Sequence, residues 1–176
     1  VWIPQTKDMT TILDELITPI YKELEFADPG LEINLTPLAG ADDPMTQADQ
    51  KRILALLDVL PNGVVRMSDA MPGVVETSTN MGILKVEQGS AQISCLLRSF
   101  SDSAKEELGR IFQSAAALSG AKCELKGGYP GWNPNPSSAI VAHMKQLYTD
   151  HFGKEPEVKA IHVGLECGLL GAVYPN

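Results

Sequence analysis

The stretch from Val75 to Ser101 constrains this chain more than any other, because it carries strand patterning nearly throughout and one arginine near its far end. In Ala91-Gln-Ile-Ser-Cys-Leu-Leu-Arg98, the residues Ile93, Cys95 and Leu97 fall on alternate positions. A strand therefore turns those three to a core and Arg98 to the opposite face. A planar guanidinium on a rigid strand suits two-oxygen capture of a carboxylate. By itself, an exposed strand arginine paired with a neighbouring carboxylate is the commoner arrangement.

Around that hairpin, caps and periodicity set the order of elements. Ile12, Leu13, Leu16, Ile17, Ile20, Tyr21 and Leu24 form a helical stripe entered through Thr11-Ile-Leu-Asp14, with Pro19 expected to kink or break it. Leu31, Ile33 and Leu35 alternate as a strand. A helix begins at Thr46-Gln-Ala-Asp49, presents Ile53, Leu54, Leu57 and Leu60, and stops at Pro61-Asn-Gly63. Short strands are expected at 64–67 and 74–77, then the hairpin of 83–86 and 91–100. Ser101-Asp-Ser-Ala-Lys-Glu opens a helix with Leu108, Ile111, Phe112, Ala115 and Leu118 inward and Gly120 closing it. Residues 121–125 are expected to return as a strand. The fold class that follows is α+β: a ferredoxin-like, mainly antiparallel sheet with helices on one face.

Composition changes at 127–137, Gly-Gly-Tyr-Pro-Gly-Trp-Asn-Pro-Asn-Pro-Ser, where three glycines and three prolines mark a linker. Tyr129 and Trp132 are expected to pin it to a surface. Beyond lie a helix over 138–152 capped by Gly153 and a strand over 158–163. The expected division is thus residues 1–126, a linker over 127–137, and a partial α/β segment over 138–176 that cannot enclose a core alone.

The charge balance excludes some functions. With 14 Lys and Arg against 22 Asp and Glu, and a net charge of −8, a phosphate backbone is an unfavourable partner. No apolar run is long enough for a membrane span, so neither nucleic acid nor membrane is expected. Cys95, Cys123 and Cys167 form no even framework and no C-x-x-C pair, which fits a reducing, cytoplasmic setting. No Ser-His-Asp or Cys-His arrangement and no phosphate loop can be assigned. His162 and Glu166 are four apart but sit on a strand and its turn, where that spacing does not share a face, so zinc binding by this pair is not expected. His143 and His151, eight apart on one helix, are expected to be surface or packing residues.

Together, Val75-Glu-Thr-Ser-Thr-Asn-Met-Gly82, the hairpin ending in Arg98, and His162-Val-Gly-Leu-Glu-Cys-Gly168 resemble the dizinc metallopeptidases, in their aminoacyl-histidine (Xaa-His) dipeptidase branch. The resemblance covers most of residues 10–176. It implies that residues 1–126 form a lid and dimerisation domain, with Asn80 and Arg98 as substrate-binding residues and Ser78 and Thr79 as second-choice contacts. It also implies that 138–176 begin a returning catalytic domain, in which Glu166 would pair with a substrate α-amino group. The family's two zinc ions have no matching ligand positions here, so the expectation is an excised, inert piece without catalytic residues, starting internally at Val1, of a homodimeric cytosolic enzyme acting on unblocked dipeptides. Without the resemblance, Asn80 is an ordinary turn residue and Glu166 a helix cap. The alternative is a free-standing ferredoxin-like binding or dimerisation module without catalysis.

Overall fold

The computed structural model describes residues 9–34, 45–87, 89–132, 135, 137–159 and 166–174. The chain divides into two compact units, Val1–Thr46 and Gln47–Asn176.

In the first unit, helix α1 (Met9–Leu24) runs through Pro19 without interruption and starts ahead of Thr11, so the expected capping box lies inside the helix and the expected break does not occur. Thr18 donates its hydroxyl to the Asp14 carbonyl at 2.7 Å, a back-bond within the helix. Residues 31–34 are irregular, and the Ile33 N–H donates to the Tyr21 hydroxyl at 2.9 Å. The expected strand from Leu31 finds no ladder partner over its described residues; Leu35 lies outside them.

The second unit is built on a three-stranded antiparallel sheet in the order β1-β2-β3, with β1 Gly63–Met67, β2 Val75–Glu87 and β3 Ser90–Ser99. Helices α2 (Gln47–Val59) and α3 (Asp102–Ser119) pack on each other, and α3 packs on β3. The expected separate strands 74–77 and 83–86 are one long strand. Thr77 through Met81 pair with Ser99 through Cys95, and Gly82 is the extra residue where the ladder shifts before Ile83 meets Ser94.

The core lies between this sheet and the helices. Leu60, Leu108, Phe112 and Ala115 are buried, and Leu56, Met81, Ile93, Cys95, Leu97 and Cys123 pack against them. The alternation read in β3 is therefore realised. Ile111 and Leu118, expected inward, are 41% and 89% exposed. At 3.6 residues per turn both lie roughly 60–80° to the same side of Leu108, off the stripe that Phe112, Ala115 and Ala116 continue. Ser101 accepts a bond from the Ala104 N–H at the start of α3, and Gly120 closes it in the left-handed region at φ 71°.

Residues 121–126 run as irregular chain rather than the expected strand, with Leu125 beside Gly109 of α3. Past it, α4 (Ala139–Phe152) ends at Gly153 and α5 spans Glu166–Val173. The strand expected over 158–163 is not present at Val158 and Lys159, and the rest of it lies outside the described residues.

Candidate functional site

Strand alternation and register together build one polar face. Thr77, Thr79 and Met81 of β2 stand opposite Ser99, Leu97 and Cys95, and that side is the core side, where the Thr77 and Ser99 hydroxyls meet at 2.9 Å. The other side of the same strands therefore carries Ser78 and Asn80 on β2 with Leu96 and Arg98 on β3. Arg98 is paired in register with Ser78, and Asn80 with Leu96, so Asn80 and Arg98 are diagonal neighbours, with Cα atoms about 7–8 Å apart by ladder geometry. Both are exposed. An arginine fork and a side-chain amide on one rigid face supply several N–H donors to a small anion without any loop having to order first.

Asn80 is therefore a mid-strand residue and not the turn residue that its neighbours Thr79 and Gly82 suggest. Its amide nitrogen lies near Gly82, 3.4 Å from where a Cβ would stand. Thr79 is on the core side, 3% exposed, with its hydroxyl unpartnered among the described residues, so it is no substrate contact from this face.

Glu166 opens α5 in its first turn, where a carboxylate is favoured by the helix's exposed N–H groups, and it is exposed. Its helix rests elsewhere: Gly168 is buried against Pro130, Gly131 and Trp132, with a Cβ there meeting the Pro130 carbonyl oxygen at 3.2 Å. The segment below it is held by hydrogen bonds between its main chain and side chains of α3. The Gly131 N–H donates to Asp102 at 2.8 Å, Lys105 donates to the Tyr129 carbonyl, and a Cβ on Gly131 would lie 2.3 Å from the Phe100 oxygen. Tyr129 and Trp132, the rings expected to anchor this segment, are each about half covered, at 49% and 54% exposure, and the Trp132 Cβ lies against Gly168. The Lys105 ammonium and the Gly131 N–H both hold the Asp102 carboxyl below the usual carboxylate range.

A pair that the alternation did not single out joins β1 to the start of β2, where the Thr77 hydroxyl also donates to Glu76 Oε1 at 3.4 Å. Arg66 of β1 reaches Glu76 of β2, Nε to Oε1 at 3.3 Å, and also Asp69 at 3.3 Å. Glu76 is 9% exposed, unusual for a carboxylate. The legible signal was a glutamate inside an otherwise uncharged strand run, Val74-Val-Glu-Thr-Ser-Thr79.

Among the described residues, no group of three or more His, Cys, Asp or Glu side chains comes together to hold a metal ion. His143 and His151 are exposed on α4, and His162 lies outside the described residues. The thiol of Cys95 is pushed up, first by burial and then by Cys123 nearby. An open apolar groove of about 610 Å³ runs along α4, lined by Ile140, Met144, Tyr148 and Phe152 with Pro156 and Val158. No helix is long and apolar enough to cross a membrane among the described residues.

No protein-family profile matches the chain. Against curated proteins it is 36% identical over 173 residues to the cytosol non-specific dipeptidase of Escherichia coli K12, covering 96% of this chain and 36% of that enzyme. Among solved structures it matches the aminoacylhistidine dipeptidase of Vibrio alginolyticus with a TM-score of 0.89 and 37% identity, over 96% of this chain and 34% of that one. The chain thus spans about a third of the length of the relatives it matches. The agreement in fold covers the three-stranded sheet with its helices, as the α+β reading anticipated. Over the third of their length that it spans, this chain is homologous to these two enzymes.

Proposed function

We propose that this chain is the substrate-gripping part of a cytosolic, zinc-dependent dipeptidase acting on unblocked dipeptides of the Xaa-His type. The observation that carries the reading is the shared face of Asn80 and Arg98 in a chain that is homologous to dipeptidases over 96% of its length. A dipeptide's C-terminal carboxylate offers two anionic oxygens, and the Arg98 fork would donate to both while the Asn80 amide donates to the same group or the adjoining peptide oxygen. Fixing that end on a strand, rather than on a loop, orients the scissile bond before any chemistry begins. Glu166 would accept from the substrate's α-ammonium at the other end, which excludes longer chains by length. In this reading residues 1–126 act as lid, 127–137 as linker, and 138–176 as the start of the returning catalytic part.

In this reading the zinc ligands lie outside the described residues, and the chain alone does not hydrolyse dipeptides. Self-association is part of the reading. The outer half of the β2–β3 hairpin exposes Ile83, Leu84 and Val86 at 48–51%, an apolar ribbon of the kind that pairs between copies.

The test is Arg98→Lys in the full-length protein that carries this chain. Lysine keeps the charge but loses the planar fork, so the KM for a free dipeptide should rise about tenfold while that for the C-terminally amidated analogue stays near wild type. Equal changes for both substrates would sink the clamp.

A further inference from the structure

Gly131 stands between the end of the strand that carries Arg98 and the helix that Glu166 opens. On one side is the chain leaving β3: a Cβ on Gly131 would lie 2.3 Å from the Phe100 carbonyl oxygen and 2.7 Å from its carbon, and Phe100 is two residues past Arg98. On the other side is α5: a Cβ on Gly168 would lie 3.2 Å from the Pro130 oxygen and 3.8 Å from the Gly131 oxygen, and Gly168 is two residues past Glu166. These neighbours are main chain, packed too closely to yield easily. The layer is also tied in place. Asp102 Oδ1 accepts from the Gly131 N–H at 2.8 Å and from Lys105 Nζ at 2.7 Å, and Lys105 donates in turn to the Tyr129 carbonyl. One carboxylate and one ammonium at the start of α3 thus hold residues 129 and 131 against the end of β3.

We propose that this clasped segment is a spacer: Asp102, with Lys105, holds Gly131 between the strand of Arg98 and the helix of Glu166, fixes the separation of those two side chains, and so sets the length of peptide whose ends both can reach. Asp102 and Lys105 are positioning residues, and Gly131 and Gly168 keep the spacer one backbone thick. The inference rests on the reading of Arg98 and Glu166 as partners of the substrate's carboxylate and ammonium, and adds what sets the distance between them. A tripeptide carries the same two terminal charges as a dipeptide, so charge alone does not separate the two. Its ends stand about 3.3–3.6 Å further apart when extended, and only a fixed spacing reads that difference.

The experiment uses the full-length protein that carries this chain, with the KM for a free dipeptide and the Ki of a tripeptide competitor one residue longer measured in the same preparation. Asp102→Ala unties Gly131, and Gly168→Ala presses on the spacer from the α5 side. In both variants the KM for the dipeptide should rise about tenfold while the Ki of the tripeptide stays or falls, a loss of length selectivity that a smaller folded fraction does not produce. Asp102→Asn, which keeps an oxygen for the Gly131 N–H, should retain more of that selectivity than Asp102→Ala. Parallel rises in KM and Ki, or an unchanged ratio, overturn the spacer provided that Arg98→Lys still separates the free dipeptide from its amide. If Arg98→Lys separates nothing, the clamp itself falls, and the spacer with it.

Discussion

The inner half of the β2–β3 pair and the helix α4 are both rich in apolar residues, yet they end in opposite conditions. Met81, Ile93, Cys95 and Leu97 find Leu60, Leu108 and Phe112 across a closed core. Helix α4 has no buried residue; Ile140, Met144 and Leu147 are 50–63% exposed, and its groove stays open. Apolar patterning shows that a face wants a partner, not that the partner is within the same stretch of chain. The sheet closes its core with residues within about sixty positions of each other. Among the described residues the helix finds no such cover.

This contrast can be broken most sharply at Leu108, which is 2% exposed. Leu108→Ala should cost about 3–5 kcal/mol in denaturant unfolding, from lost transfer energy plus a cavity. A cost under about 1 kcal/mol would mean that the core is as loosely held as α4. Next comes Gly131→Ala, where the new Cβ has no room beside the Phe100 oxygen and main chain must shift. A loss of about 1–3 kcal/mol is expected, with altered protease sensitivity near the 127–132 segment as the accompanying readout.

A smaller effect is expected from acid. The Asp102 carboxyl is depressed in the folded state, so its contribution is present above the ordinary Asp range and is lost as pH falls through the depressed value. Because Asp102 is largely exposed, this should amount to well under about 1 kcal/mol. Asp102→Asn should flatten that part of the stability–pH curve, and an unchanged acid limb would count against the tie to Gly131. The smallest effect belongs to α4: Met144→Ser should shift unfolding of this chain by no more than about 0.5 kcal/mol. A loss comparable to that of Leu108→Ala would show that the exposed face is covered, for example by a second copy.

Much of the second unit was legible because local rules and packing agree there. Ser101 and Gly120 bound α3 as caps should, and the Ile93–Leu97 alternation turned the expected residues inward. What misled was punctuation. Gly82 and Asn80 look like a turn, but cross-strand pairing with β3 outweighs the local preference and the chain goes straight through. Pro19 looks like a stop, yet α1 continues past it. Residues 121–125 have strand composition without strand pairing, since composition cannot say whether an edge is within reach. The side of β2 and β3 that Asn80 and Arg98 share followed from parity once the register was in hand, whereas the Arg66–Glu76 pair depends on a contact between strands ten residues apart.

Gly82 has one more consequence. Its extra residue reverses the parity of β2: inward positions are odd up to Met81, but beyond it Leu84 and Val86 stand opposite Ile93 and Ala91. The hairpin is therefore written in two reading phases joined at a single glycine. Removing that glycine would not trim a loop; it would transpose inside and outside along one arm of the hairpin, presenting apolar residues where Asn80 and its neighbours now meet solvent, or pushing those polar groups into the core.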